Sequence, residues 1–268
     1  MTTFPSSKVI VAPSKADVPE SLCNIVAVLA TKALKDHNAV SIALSGGSLP
    51  SFLGALPDAF KDTDPQWNKW HVFLADERCV PEDHDDSNMK ALKEKFLSKT
   101  EIPADQIYAI NLLDTTEAVA NEYETRLVDS LEKFTHTRLD IAVLGFGPDG
   151  HTCSLFPGHE LVAKDSAPST WVASIEDSPK PPPKRITLTL MALNQYTDNI
   201  IVCGAGSSKQ PIVAKVFQSI KQLDGGIYQA TMTSPPPYPC SMVTPKDSLT
   251  WVLDKDALGD EDKIGLKL

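Results

Sequence analysis

The sequence has no C-x-x-C pair, no H-E-x-x-H and no apolar run long enough to span a membrane. Its five cysteines (Cys23, Cys79, Cys153, Cys203 and Cys240) are odd in number and widely spread. That excludes a regular disulfide framework or zinc site and fits a reducing compartment. Met1 to Val11 lacks the charged segment and long apolar stretch of a secretory leader. Basic residues are in deficit: 25 Lys and Arg against 35 Asp and Glu give a net charge of -10. Nucleic acids and anionic membranes need a basic face, so neither is an expected partner. A small anionic ligand stays open, because a few local Arg and Lys suffice for one phosphate. The expectation is a cytoplasmic protein that is a monomer or weak homo-oligomer, with no cofactor and no metal.

Several catalytic signatures are also missing. There is no G-x-S-x-G nucleophile elbow. The Gly46-Gly47 turn lacks the Lys-Ser/Thr of a Walker A loop, and Gly204-Ala205-Gly206 lacks the third glycine of a dinucleotide fingerprint. Cys153 lies near His151, but no third group orients a Cys–His pair.

What is present is an alternation of strands and helices. Apolar residues make up 42% of the chain, enough for a substantial core. Val9–Ala12, Val40–Leu44, Trp70–Ala75, Leu139–Leu144, Trp171–Ser174, Asn199–Cys203 and Leu249–Leu253 read as strands. Arg185–Leu190 alternates with period two, which predicts one buried and one polar face. Helical periodicity marks Ala16–Lys35, with Leu22, Ile25, Val26, Leu29 and Ala33 on its apolar face. It also marks Leu49–Leu56, Met89–Leu97 and Thr116–Phe134, the last buried through Val119, Tyr123, Leu127 and Leu131. Asp114-Thr115-Thr116-Glu117 reads as a capping box. Ser207 with Gln210 reads as another, opening a helix to about Leu223. Ser178–Lys184, with four prolines and two lysines, is a stiff connector, and Thr233–Pro245 an irregular loop. The charged tail beyond Leu253 is expected at the surface. The pattern predicts an α/β fold: one domain, residues 1–268, with a doubly wound, mostly parallel sheet and helices on both faces.

In such folds ligands bind off the carboxyl ends of the strands. Leu139–Gly145 empties into Phe146-Gly147-Pro148-Asp149-Gly150-His151, a turn that carries a carboxylate and an imidazole two residues apart. The turn after Val40–Leu44, Ser45-Gly46-Gly47-Ser48, suits an anion-binding helix start, and equally a plain tight turn. Asp76-Glu77-Arg78 follows the third strand. The acidic run Glu82–Asn88 reads as a solvated loop with Ser87 or Asp86 as helix cap, rather than as a metal cluster. Arg185 opens its strand. Lys209 falls in a first helical turn, where a cation opposes the helix dipole unless an anion binds nearby; a lysine pointing into solvent fits as well. Together these groups suit proton transfer or hydrolysis on a phosphorylated small molecule.

Four segments resemble the 6-phosphogluconolactonase family: Ser45–Ser48, Leu74–Pro81, Leu144–Pro157 and Pro183–Thr189. They occur in family order and span most of the chain. The resemblance implies hydrolysis of 6-phospho-D-glucono-1,5-lactone to 6-phosphogluconate without metal or cofactor. It implies that His151 is the general base and that Asp149 holds the imidazole or the sugar. Arg78 and Arg185 would bind phosphate or substrate oxygens, with Asp76, Ser45, Gly46, Gly47, Ser48 and Lys209 completing the site. The related glucosamine-6-phosphate deaminases carry a carboxylate five residues after this histidine, where this sequence has Phe156.

Overall fold

Six of the apolar runs line up as parallel strands. The computed structural model describes residues 7–134, 137–163 and 168–259. The first strand, β1 (Ser7–Ala12), leads into α1 (Val18–His37), which carries a proline in its first turn and ends where Asn38 turns left-handed and its N–H reaches Leu34 O. Then come β2 (Val40–Leu44), the five-residue α2 (Leu49–Leu53), β3 (Trp70–Leu74) and the short β4 (Asp76–Arg78). Ser87 caps α3 (Asn88–Lys95) by accepting from Lys90 N, 3.1 Å. Helix α4 (Thr116–Phe134) buries Val119, Tyr123, Leu127 and Leu131, the face its periodicity predicts. Its cap is Thr115, which accepts from Ala118 N, rather than Asp114.

The second half holds β5 (Leu139–Gly145), β6 (Val172–Ile175), β7 (Arg185–Leu188), α5 (Leu190–Gln195) and β8 (Thr197–Gly204). It closes with α6 (Gln210–Val216), β9 (Phe217–Asp224), β10 (Ile227–Met232), β11 (Ser248–Asp254) and α7 (Lys255–Leu258). The main sheet has the order β3-β2-β5-β8-β11-β1-β10-β9. Strands β3 to β1 in that order are parallel, and β10 and β9 are antiparallel. This is the mostly parallel α/β fold the sequence predicts. The inner strands are buried on both faces, β2 along its whole length. Helix α1 packs against β1, β5 and β11, and one continuous apolar core joins the elements. No helix among the described residues is long and apolar enough to cross a membrane. Of the tail, residues beyond 259 lie outside the described part.

Three expectations are corrected. The helix predicted to Leu223 stops at Val216, and Phe217–Asp224 pairs with β10 as a hairpin. Gly225 and Gly226, both at positive φ (51° and 83°), form its turn, the conformation that two-residue hairpins need. Asp76–Arg78 does not simply trail from β3. It is an edge of a second, antiparallel sheet, β4-β7-β6. Arg185–Leu188 is the middle strand of that sheet, and all four of its residues are buried, so both faces are covered instead of one. Leu188 N donates to Ala75 O at the exit of β3, which ties the small sheet to the large one.

Candidate active site

Backbone hydrogen bonds bring the loops at the carboxyl ends of the strands together. Ser45 N donates to Val143 O on β5, and Ala75 N to Leu44 O on β2. The turn after β5 is braced from within: Gly147 N donates to His151 O, Gly150 N to Gly147 O, and Thr152 Oγ1 to Gly145 O. The late loop braces it from outside through Cys240 N to Gly150 O. Residue 147 must be glycine, because a Cβ there would overlap the His151 ring and the Asp149 carboxylate. The turn 146–152 is thereby folded into one fixed presentation of His151.

These loops enclose a cavity of about 210 Å³. It brings together Ser45, Gly46, Gly47, Ser48, Asp76, Arg78, His151, Arg185 and Lys209, from positions up to 164 residues apart in sequence. Asp149 does not line it; its carboxylate stands behind the imidazole, with Oδ1 against Nδ1 in a very short contact. That contact assigns the Nδ1 proton to the Asp149 bond and leaves the Nε2 lone pair for the cavity side. Among the described residues Nε2 has no hydrogen-bond partner. The ring rests on fully buried Phe156, centroids 4.8 Å apart, and the Arg185 guanidinium lies 5.7 Å from the centre of the same phenyl ring.

The cations are held differently. Arg185, only 3% exposed, donates Nε to Pro182 O, Nη2 to Lys180 O and Pro181 O, and Nη1 to Ser154 Oγ. Arg78 donates Nη1 to Asp86 O at 2.6 Å, while its buried Nε has no partner among the described residues. Lys209 lies in a 3-10 turn, Ser207–Lys209, ahead of α6 rather than inside its first turn. No Ser207 side-chain cap forms; the Lys209 ammonium instead donates to Phe146 O and sits 5.1 Å from the Phe146 ring centre. Asp76 accepts from Ser154 Oγ at 3.0 Å. Glu77 turns away from the cavity and accepts from Asn88 N, Met89 N and Ser87 Oγ, so it anchors α3.

Burial sets the electrostatics. It lowers the His151 imidazole below its ordinary range; Asp149 pulls it back up, and Lys180 pushes it further down. Burial also raises the Asp149 carboxyl, but hydrogen bonds from His151 and Lys180 outweigh it and hold that group at about 2. Lys209 is lowered by burial and then by Lys180, and Arg185 by burial and then by Arg78. The Cys153 thiol is pushed up by burial, so it is no nucleophile.

Two residues of the site were not singled out from the sequence. Asn88, whose Nδ2 donates to Asp76 O, lines the cavity from the start of α3. Lys180 reaches Asp149 Oδ2 at 3.0 Å and His151 Nδ1 at 3.1 Å. Its position between prolines 179 and 181 reads as a connector, and no local pattern links it to a turn 29 residues earlier.

The family model for glucosamine-6-phosphate isomerases/6-phosphogluconolactonase matches residues 13–251. The chain belongs to that family. Every loop of the cavity falls inside the match. Among curated glucosamine-6-phosphate isomerase/6-phosphogluconolactonase relatives, the chain is 42% identical over 249 residues to "Probable 6-phosphogluconolactonase 3, chloroplastic" of Oryza sativa subsp. indica, covering 89% of this chain and 71% of the relative. It is 37% identical to "Probable 6-phosphogluconolactonase 1" of Arabidopsis thaliana, over 88% of this chain and 87% of that one. A crystal structure of 6-phosphogluconolactonase from Leishmania guyanensis superposes with TM-score 0.70 at 26% identity, covering 94% of this chain and 97% of that one.

Proposed function

We propose that this protein, acting as one domain over residues 1–268, hydrolyses 6-phospho-D-glucono-1,5-lactone to 6-phospho-D-gluconate in the oxidative pentose phosphate pathway. The observation that carries the reading is a half-buried imidazole with its Nδ1 fixed by Asp149, in the same small cavity as Arg78, Arg185 and Lys209. The relatives named 6-phosphogluconolactonase support the same substrate class.

In this mechanism the phosphate is held by Arg78 and Lys209, with the N–H groups of Gly46, Gly47 and Ser48; the Ser45 N–H is taken by Val143 O. Arg78 Nε supports this, because a buried donor without a partner costs about 1–3 kcal/mol that a phosphate oxygen would recover. His151 Nε2 takes a proton from water as the water oxygen bonds to the lactone carbonyl carbon. The tetrahedral intermediate then expels the ring oxygen, which receives the proton from the imidazolium. The carboxylic acid product loses its proton to solvent, and the imidazole is neutral again. Asp149 fixes the tautomer throughout.

A deaminase reading lacks support at one position: five residues past His151 stands Phe156, buried beneath the ring, where ring opening would need a carboxylate. The reading also keeps the cytoplasmic location expected from the sequence, supported by five free cysteines. The decisive experiment is hydrolysis of the phosphorylated lactone by wild type and His151→Ala, with the uncatalysed rate subtracted. The variant is expected to lose roughly 10²–10⁴-fold in kcat while retaining its fold. Near-normal turnover would refute the role of His151, and no turnover by wild type would refute the reaction.

A further inference from the structure

The Asp149–His151 pair has a third member that a simple base-and-orienter arrangement does not require. The Lys180 ammonium lies 3.0 Å from Asp149 Oδ2 and 3.1 Å from His151 Nδ1. Its side chain is about one-third exposed, and among the described residues it makes no other contact of an ammonium to an acceptor. Nor is it needed to shape its own loop. Arg185 already binds the carbonyls of Lys180, Pro181 and Pro182, and Ser178 Oγ bonds both Lys180 O and Lys180 N. The loop is thus fixed by its backbone, and the ammonium is delivered to the dyad.

We propose that Lys180 is a positioning residue for the base, sharing the Asp149 carboxylate so that the His151 imidazole stays neutral while its Nδ1 proton stays fixed. The inference rests on the reading of His151 as the base. Its physics is a balance of charges around one ring. Asp149 on the same turn and Asp76 on β4 both favour the imidazolium. They pull against burial, the largest influence on the ring, which disfavours its charged form; a protonated ring cannot accept from water. Four cations face the site from other elements: Lys180 from the 178–184 loop, Arg78 from β4, Arg185 from β7 behind Phe156, and Lys209 from the turn after β8. Only Lys180 touches the dyad directly. One carboxylate oxygen goes to the ring and the other to the ammonium, so the carboxylate still orients the imidazole but no longer strongly stabilises its charged form. Burial acts in the same direction.

The test is a ring titration by NMR of isotopically labelled protein together with the pH dependence of kcat/KM. It compares wild type, Lys180→Met and Lys180→Arg, with His151→Gln used to assign the His151 signal. Lys180→Met is expected to raise the His151 midpoint by about one pH unit and to move the acid limb of kcat/KM upward equally. Activity loss is then about tenfold on the acid limb and shrinks as the pH rises. Lys180→Arg keeps the charge and restores both midpoints. An unchanged ring midpoint in folded Lys180→Met, or a loss that is the same at every pH, would overturn the inference. Failure of the base reading is seen separately. His151→Gln would then retain activity, whereas the ring titration still reports on Lys180.

Discussion

A guanidinium carries five N–H donors, and the two arginines of the cavity use them differently. Arg185 commits four to the protein: three to the carbonyls of the 180–182 loop and one to Ser154. It therefore has one donor left for a substrate oxygen, and its main contribution is to hold the loop that delivers Lys180. Arg78 commits one, to Asp86 O, and its Nε is buried without a partner. The sequence suggests the same role for both, but donor accounting separates them. Arg78→Ala is expected to raise KM for the phosphorylated lactone by about 10–100-fold, the worth of one charge-assisted hydrogen bond, with a smaller effect on kcat. Arg185→Ala is expected to lower kcat and raise KM together, because it releases the loop as well as one contact. Steady-state kinetics on both variants decide this. Equal KM effects with unchanged kcat would return the two arginines to equivalent roles.

At the scale of elements, the β9–β10 hairpin is where sequence periodicity misleads. Phe217, Ile220 and Leu223 recur at three-residue spacing, which suggests a helical face. Pairing with β10 and the Gly225-Gly226 turn override that local signal. At Gly226 a side chain would meet both a positive φ and Val11 O, 3.1 Å from where its Cβ would stand. Gly226→Val should therefore destabilise the protein by about 1–2 kcal/mol in urea unfolding, whereas Gly225→Asn should cost less, since asparagine tolerates the left-handed region. Equal tolerance of both would mean that the turn is not as described. The parallel strands were legible because burial on both faces leaves runs such as Val40–Leu44 and Leu139–Leu144 almost wholly apolar, each with one polar residue, Ser41 and Asp140, which bond each other. The cavity was legible for a related reason: glycine-rich turns at strand ends placed Ser45–Ser48 and His151 in one layer. Lys180 and Asn88 were not, because each reaches the site through tertiary contacts with residues distant in sequence. The alternation of Arg185–Leu190 gave a correct strand but a wrong face, since nothing local announces the tertiary packing that covers both sides of a small second sheet.

For the whole molecule, the response to acid draws on groups far from the cavity as well as on those in it. His71, in β3 at the edge of the large sheet, stacks on Phe134 with centroids 3.7 Å apart; its Nδ1 meets Tyr108 OH and its Nε2 meets Gln106. It thus joins β3 to α4 and to the segment around residue 107. Burial lowers its imidazole to about 4, with Asp105 pulling weakly the other way. A folded-state value below the unfolded one means that the unfolded chain binds the proton first. The neutral ring therefore contributes stability that is present above about 6.5 and is lost as the pH falls toward 4. His151, also lowered, acts with the same sign. Asp140 and Glu77, buried carboxyls raised above their ordinary values, act oppositely, favouring the fold more as pH falls. Acidification toward the isoelectric point near 5.0 also discharges a protein of net charge -10 and relieves self-repulsion, and below that point the charge returns with the opposite sign. The wild-type curve sums these opposing effects, so the His71 contribution must be read as a difference. His71→Phe keeps the stacking on Phe134 and removes the titration. Relative to wild type it should lose about 1 kcal/mol less stability between pH 6.5 and 4, a figure discounted for the ring's contact with solvent. Urea unfolding of both proteins at intervals across that range measures the difference, and parallel curves would show that His71 titrates alike in the folded and unfolded chains.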